Sequence, residues 1–336
     1  MIKKQFAIVL LVLSLFACKK NKGTAQATQP IVSQPLTYSG GDLSFVPEIE
    51  TTPTTFYNTD GTAGDALNIL KQNGMNIVRL RLWHTPANAN SSLAQVITFA
   101  QRIKAAGLQW WLDFHYSDTW ADPGKQTIPI AWQSLSFNVL ADSVYAYTYK
   151  VMNDLKARNI LPVIVQIGNE TNSGMLWDKG KVGGSFDSNW PNYAMLVKKG
   201  IDAVKAVDPS VKTMLHFAGT NGAPWFFSNL QTQGVTYDIM GLSYYHWWHG
   251  RNLTELQTDL TSLANTFNKD IFIVETAYPF TLTWNDNTTN IYGSGYPLLP
   301  GYDASPDGQL KFLTDLKTTF FRLSSTDFFL LYENFQ

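Results

Sequence analysis

Residues 162–170 read Pro162-Val-Ile-Val-Gln-Ile-Gly-Asn-Glu170, a short apolar run that ends in an amide and a carboxylate. A run of this length, rich in β-branched residues, is typical of a strand buried on both faces of a parallel sheet. The polar pair that follows the run marks the end of the strand. This one segment therefore predicts a buried strand that delivers two polar side chains to one edge of a sheet.

Seven further runs share this design, and helix-like stretches separate them. One such stretch places Leu93, Val96, Ile97, Ala100 and Ile103 on one face and closes at Gly107. This spacing is typical of an amphipathic helix with a glycine at its C-terminal end. We predict strands at Gly41–Phe45, Ile77–Trp83, Gln109–His115, Pro162–Gly168, Thr213–Phe217, Ile239–Tyr245, Ile271–Glu275 and Phe328–Glu333.

Eight alternating strand and helix units predict an α/β protein, specifically a (β/α)8 TIM barrel. A doubly wound sheet is the alternative, but no glycine-rich turn follows a strand and opens a helix. After the eighth predicted strand the chain reads Leu331-Tyr-Glu-Asn and stops at Gln336. We therefore expect the barrel to be truncated after strand eight, without its eighth helix.

The amino-acid composition and the net charge limit the classes of protein to which this chain can belong. The 336 residues are 45% hydrophobic and 15% charged, with a formal net charge of −1. Nucleic-acid-binding proteins normally present a basic face, and disordered chains are highly charged and poor in apolar residues, so both classes are excluded. The single cysteine excludes an internal disulfide and any multi-cysteine metal site.

The N-terminus has the pattern of a bacterial lipoprotein signal peptide. Lys3 and Lys4 precede an apolar run from Phe6 to Phe16, which is too short to cross a bilayer. The run ends in Leu15-Phe-Ala-Cys18, so cleavage before Cys18 and lipidation of that residue are expected. We predict a signal peptide over 1–17, a flexible tether over 18–38, and a catalytic domain over 39–336. The expected location is the bacterial cell envelope.

Active sites of such barrels lie at the C-terminal ends of the strands. Polar and aromatic residues are concentrated at those ends, and a whole ring of them is better explained by a site than by chance. The residues are Asp42, Ser44, Arg79, Arg81, Trp83, Asp113, His115, Asn169, Glu170, His216, Tyr244, Tyr245, Glu275 and Glu333.

Glu170 and Glu275 stand out because they follow strands four and seven, which face each other across the mouth. A glycosidase requires a carboxylic acid that protonates the leaving oxygen and a carboxylate that meets the oxocarbenium-like carbon. The distance between the two carboxyls decides between retention and inversion of configuration, and a sequence contains no such distance.

The chain resembles glycoside hydrolase family 53, the arabinogalactan endo-β-1,4-galactanases. The resemblance runs from about Gly41 to Leu316. It rests on the segments Arg79-Leu-Arg-Leu-Trp83, Leu112-Asp-Phe-His-Tyr-Ser-Asp-Thr-Trp-Ala-Asp-Pro-Gly-Lys-Gln126, Gly168-Asn-Glu-Thr-Asn-Ser-Gly-Met-Leu-Trp177, Gly241-Leu-Ser-Tyr-Tyr245 and Val274-Glu-Thr-Ala-Tyr-Pro279.

The resemblance implies endo-hydrolysis of β-1,4-galactan with retention. It implies Glu170 as acid and base, Glu275 as nucleophile kept ionised by Arg79 or Arg81, and Asn169 on the sugar 2-hydroxyl. Tyr244 is expected to hold Glu275 through its hydroxyl. The other expected substrate-binding residues are Asp42, Trp83, Asp113, His115, Trp120, Trp177, His216 and Tyr245, the tryptophans as sugar-stacking platforms or core fillers.

The chain departs from the family pattern in two places. Members usually end strand eight with Tyr-Trp-Glu-Pro, whereas this chain has Tyr332 and Glu333 without the tryptophan. Some members hold a structural calcium after strand seven, but here residues 283–290 contain Asp286 as their single carboxylate. A calcium site usually includes several oxygen ligands and more than one acid, so neither a metal nor another cofactor is expected.

Three alternatives remain. A metal-dependent barrel hydrolase would need a His-x-His pair on strand one, which this chain lacks; His246 and His249 are expected to line the cleft instead. The same retaining mechanism could act on mannan, xylan or glucan. A non-catalytic, glycan-binding surface lipoprotein is the third possibility, although both acids are present. The polysaccharide is the expected partner, and the protein is expected to be a monomer.

Overall fold

The computed structural model describes residues 38–250, 252–283, 298–321 and 329–332. Within these residues eight parallel strands form a closed barrel in chain order. They are β1 (Tyr38–Asp42), β2 (Ile77–Leu82), β3 (Gln109–Phe114), β4 (Ile164–Ile167), β5 (Lys212–Ala218), β6 (Ile239–Tyr244), β7 (Asp270–Thr276) and β8 (Phe329–Tyr332). β1 pairs with both β2 and β8, which closes the ring and confirms the predicted (β/α)8 class.

Helices follow most of the strands. In the described residues they are α1 (Val46–Ile49), α2 (Ala66–Gln72), α3 (Leu93–Ala105), α4 (Phe137–Ala157), α5 (Trp190–Val207), α6 (Ala223–Thr232), α7 (His246–His249), α8 (Leu253–Phe267) and α9 (Pro306–Phe321). Among them, no helix combines the length and apolar character that crossing a membrane requires.

Helix starts are set by local side-chain chemistry. Ser92 accepts a hydrogen bond from the Gln95 amide at the start of α3, and Asn252 forms a capping box with Glu255 at the start of α8. Three residues of the predicted apolar face of α3, namely Val96, Ala100 and Ile103, are buried, and so is Phe99, which was not predicted.

The interior of the barrel has two layers. The N-terminal half of the barrel is filled by apolar side chains, namely Ile77, Trp111, Ile164, Met214, Ile239, Phe272 and Val274. Toward the C-terminal ends of the strands, the inward side chains become polar: Arg79, Asp113, Gln166, His216 and Ser243, all buried. Buried polar groups are costly unless they are hydrogen-bonded, so this second layer marks the site.

The first predicted strand is displaced. Residues 41–45 were expected to form it, but β1 spans Tyr38–Asp42 and so begins inside the predicted tether. Phe45 instead caps α1 with helical backbone angles. Two short hairpins were not predicted, one joining Phe56–Tyr57 to Ala63–Gly64 and one joining Gly174–Met175 to Gly180–Lys181. Glu333, the expected end of strand eight, and the expected truncation lie outside the described residues.

Candidate active site

A bulge in β7 turns Glu275 into the barrel. In the pairing of β6 with β7, Leu242 is opposite Ile273 and Ser243 is opposite Glu275, so Val274 is the extra residue. Phe272 and Val274 already point into the barrel, and strict alternation would therefore send Glu275 outward. The bulge reverses this, as β-bulges often do beside active sites.

The chain bends sharply where β4 ends. Gly168 has φ of +85° and Glu170 has φ of +44°, which is an uncommon conformation for a residue with a side chain. The side-chain amide of Gln126 stabilises this turn by donating to the Asn169 carbonyl oxygen at 2.8 Å and lying 3.3 Å from that of Glu170. Backbone strain of this kind persists only where surrounding contacts enforce it, and it is concentrated at functional sites.

Arg79 connects the polar groups of four strands. Its guanidinium lies 2.9 Å from Glu275 Oε1, 2.8 Å from Asp113 Oδ2 and 2.7 Å from Asn169 Oδ1, with Asp42 Oδ2 at 3.4 Å. Its side chain is only 2% exposed. Of the two arginines expected to pair with Glu275, Arg79 is the one in contact with its carboxyl group.

Glu275 accepts a second polar contact from the Tyr245 hydroxyl at 3.2 Å. Burial and the negative charge of Glu170 raise the pKa of the Glu275 carboxyl to about 8, while Arg79 acts in the opposite direction. Because the two carboxyls influence each other, the raised pKa is a property of the pair. The pair therefore holds one proton near neutral pH.

The prediction that Tyr244 holds Glu275 is wrong by one residue. Alternation along β6 turns Ser243 and Tyr245 toward the barrel axis and Tyr244 toward the helices. The Tyr244 ring stacks on Phe312 of α9, with 6.4 Å between the ring centroids.

Glu170 is half-buried and is contacted from β6 and β5. Ser243 Oγ donates to Glu170 Oε1 at 2.6 Å, and the buried His216 lies behind Ser243, with 2.9 Å between Nε2 and Oγ. Burial, assisted by the charge of Arg79, holds the pKa of His216 well below its ordinary value. His216 is therefore neutral.

Hydrogen bonds also fix the tautomer of His115. Its Nδ1 accepts from the Ala121 amide at 3.1 Å and from Trp83 Nε1 at 3.3 Å, so the ring proton resides on Nε2. Nε2 lies 3.0 Å from Asp113 Oδ2. Burial would raise the pKa of Asp113, but the positive charge of Arg79 and the hydrogen bond from His115 outweigh burial and lower it.

Aromatic side chains line the rim of the mouth. The Arg81 guanidinium lies 4.0 Å from the Phe45 ring, 4.2 Å from the Trp120 ring and 5.4 Å from that of Trp83. Phe45 and Trp120 expose 44% and 40% of their surface, whereas Arg81 is buried. Arg81 therefore packs against the exposed aromatic side chains of the rim. This role differs from the alternative predicted from the sequence, in which Arg81 pairs with Glu275.

Trp177 lies on the loop that follows β4. Its indole nitrogen donates to the Ser173 carbonyl oxygen at 2.8 Å, and Lys181 Nζ lies 4.2 Å from its ring. The ring is half-buried, so part of it remains open to solvent.

The two histidines of α7 lie among other protein groups. His249 Nδ1 accepts from the Tyr245 amide at 2.9 Å, and burial lowers the pKa of His249 to about 4. His246 is also buried. In the described part of the chain, no group of three or more His, Cys, Asp and Glu side chains is placed to hold a metal ion. Asp286, in the loop considered for calcium, lies outside the described residues.

Four residues of this site were not predicted from the sequence as site residues: Phe45, Gln126, Gln166 and Ser243. Gln166 is detectable in hindsight, because it is the one polar side chain inside the apolar run that ends at Asn169-Glu170. Ser243 precedes the tyrosine pair and shares the inward face with Tyr245.

The family model for glycosyl hydrolase family 53 matches residues 38–330. An arabinogalactan endo-β-1,4-galactanase of Cellvibrio japonicus is 38% identical over 286 residues, covering 83% of this chain and 75% of that protein. One from Thermothelomyces thermophilus is 38% identical over 293 residues and covers 84% of each chain. The GH53 catalytic domain of Ignisphaera aggregans superposes with a TM-score of 0.83 at 35% identity, over 90% of this chain and 87% of that one. The chain belongs to glycosyl hydrolase family 53.

Proposed function

We infer that this protein is an endo-acting glycoside hydrolase that cleaves β-1,4-galactosidic bonds in galactan or arabinogalactan. Relatives named as arabinogalactan endo-β-1,4-galactanases are 38% identical to it over the aligned residues. One observation supports the chemistry most strongly: two carboxyls face one barrel mouth in different surroundings, Glu275 beside Arg79 and Glu170 beside Ser243. Unequal surroundings are what separates a nucleophile from an acid.

In the first step we assign Glu275 as the nucleophile. Its carboxylate attacks the anomeric carbon and forms a glycosyl ester, while the bond from that carbon to the leaving oxygen breaks. The leaving oxygen takes the proton of Glu170. Arg79 lies beside Glu275, so its positive charge favours the anion there and leaves the shared proton on Glu170.

In the second step Glu170 acts as a base. It removes a proton from a water molecule, and the resulting hydroxide attacks the anomeric carbon and releases Glu275 as a carboxylate. Two inversions restore the original configuration, so the product is the β-anomer. Glu170 ends the cycle protonated, as it began.

Asn169 is placed to bind the sugar 2-hydroxyl. Its Oδ1 accepts from Arg79, and one hydrogen of its Nδ2 goes to the Ala121 carbonyl oxygen at 2.8 Å. An amide nitrogen has two hydrogens, so the second can be donated to the sugar. Such contacts strengthen as positive charge develops on the ring.

The remaining predicted contact residues form three groups. Trp83, Trp120 and Trp177 supply aromatic faces for the chain of sugars. Asp42, Asp113, His115, His216 and Tyr245 hold the catalytic groups in place, and Tyr244 belongs to the helical layer.

The predicted signal peptide and lipidation site extend this proposal to the location of the enzyme in the cell. Signal-peptide cleavage before Cys18, followed by lipidation, would attach a monomeric enzyme to the cell envelope through the tether. Such an enzyme would act on polysaccharide outside the cytoplasm. Mass spectrometry of the mature N-terminus tests it: a diacylated or triacylated Cys18 is expected, and an unmodified Met1 would contradict the anchor.

The product profile from linear β-1,4-galactan tests the activity. We expect galacto-oligosaccharides of mixed length early in the reaction, because an endo enzyme cuts within the chain. Linear mannan, xylan and β-glucan serve as matched substrates. Faster cleavage of one of these would assign a different glycan, and release of galactose alone would contradict endo action.

A further inference from the structure

A chain of hydrogen bonds beneath Glu170 runs through Ser243, a residue to which no role is assigned above. Ser243 Oγ lies 2.6 Å from Glu170 Oε1 and 2.9 Å from His216 Nε2. Ser243 and His216 have no exposed surface, so no bulk water competes for these contacts. A short hydrogen bond in such surroundings determines where the protons lie.

The surroundings of Nδ1 fix the proton of His216. This nitrogen faces the Glu170 main-chain amide at 3.3 Å and the Gln166 side-chain amide nitrogen at 3.1 Å. Asn169 Oδ1 is 3.0 Å away, but its two lone pairs already accept from Arg79 and, at 3.2 Å, from the Gln166 amide nitrogen. A ring nitrogen that faces two N–H donors is the unprotonated one, so the single proton of neutral His216 resides on Nε2.

The position of the proton on His216 determines the direction of the Ser243 hydrogen bonds. The His216 Nε2–H donates to the Ser243 oxygen, and the hydroxyl hydrogen of Ser243 is therefore free to donate to Glu170 Oε1. A carboxyl oxygen that accepts this hydrogen bond is not the one that carries the acid proton. The proton of Glu170 is left on Oε2.

We propose that His216 and Ser243 are positioning residues that keep the acid proton of Glu170 on Oε2, toward the leaving glycosidic oxygen. This inference rests on the proposed role of Glu170 as the acid. The relay moves no proton itself, because His216 stays neutral throughout. In the second step, the same hydroxyl stabilises the Glu170 carboxylate before it accepts a proton from water.

Other charged and titratable groups surround this relay. Besides the two carboxyls themselves, Asp42 on β1, Arg79 on β2, Asp113 on β3, His115 directly after β3 and His249 on α7 act on His216 or on Glu275. Replacing Ser243 by alanine leaves these groups unchanged. A change in the pH profile of that variant therefore reports the hydrogen bond itself.

The test compares Ser243→Ala with wild type on galactan and on an aryl β-galactobioside with a good leaving group. Loss of a hydrogen bond to a charged group predicts a roughly 10- to 100-fold lower kcat on galactan and a smaller loss on the aryl substrate. The alkaline limb of the pH profile should move upward, because the lost donor had stabilised the carboxylate. Ser243→Thr keeps the hydroxyl and should restore both properties in part.

Ser117→Ala is the matched control, because the Ser117 hydroxyl is buried and makes no hydrogen bond to any residue that the structure describes. It should retain wild-type kcat and pH profile. A Ser243→Ala enzyme with an unchanged pH profile, or with equal slowing of both substrates, overturns the relay and leaves galactan cleavage by wild type standing. If wild type itself releases no sugars from galactan, the proposed function fails and the relay fails with it.

Discussion

Arg79 Nη1 lies 2.9 Å from Glu275 Oε1, and the other terminal nitrogen of the same guanidinium lies 2.7 Å from Asn169 Oδ1. One buried cation thus connects the proposed nucleophile on β7 to the residue that precedes the proposed acid after β4. The fork geometry of arginine allows both contacts at once, which a lysine could not reproduce. We infer that this contact is one source of the different roles proposed for the two carboxyls.

Changing Glu275→Ala should abolish turnover and leave galactan binding intact. The reason is that no other group can form the glycosyl ester, and the aromatic rim is unaffected. We expect kcat to fall by roughly 10⁴-fold or more. Affinity electrophoresis in galactan measures binding separately. Substantial turnover by this variant would remove Glu275 from the nucleophile role.

Changing Glu170→Ala should slow galactan far more than an activated aryl glycoside. A sugar leaving group needs a proton, and general acids contribute typically about 10²–10⁴-fold. The measurement is single-turnover kinetics on both substrates. Equal slowing of the two would show that Glu170 does not act as the acid.

The pH dependence of kcat/KM should have an alkaline limb near pH 8. The pair of carboxyls has a raised pKa, so it keeps its last proton to about that pH. The active form carries one proton, and activity should therefore decrease as pH rises through the raised pKa. Glu170→Gln, tested with the aryl substrate, should lose this limb. A limb that stays in the variant would assign it to another group.

Changing Arg79→Met should destabilise the fold strongly. Asp42, Asp113 and Glu275 would lose their buried cation, and breaking a buried ion pair from one side costs about 3–5 kcal/mol. Arg102→Met is the control, because Arg102 pairs with Glu50 and Asp65 while 37% of its side chain is exposed. Urea denaturation should show a loss below about 1 kcal/mol there. Equal losses in the two variants would mean that the Arg79 cluster contributes little.

Much of the barrel and of its mouth was predictable from sequence. Strand-length apolar runs recur, and each ends in residues too polar for a core, so the strand ends were visible as a pattern. Parallel strands in a barrel bring all those ends to one face. Glu170, Arg79, Asp113 and His216 were found on this basis, and the structure brings them together.

The details of orientation were not predictable in the same way. Alternation alone sends Glu275 outward, and the bulge at Val274 that corrects this leaves no mark in composition or periodicity. The exchange of Tyr244 for Tyr245 has the same origin, since it depends on which residue of β6 faces the axis. In the sequence, Arg79 and Arg81 were equivalent candidates for the partner of Glu275. Arg81 lies two residues closer to the C-terminal end of β2, and this position places it beside Phe45 and Trp120.

The configuration of the first product tests the two-glutamate account most directly. Proton NMR can follow the anomeric signals of galacto-oligosaccharides in the first minutes of hydrolysis, before mutarotation. We predict that the β-anomer appears first and that the α-anomer grows in later by mutarotation. Initial formation of the α-anomer would mean direct attack by water, and Glu275 would then be a base instead of a nucleophile.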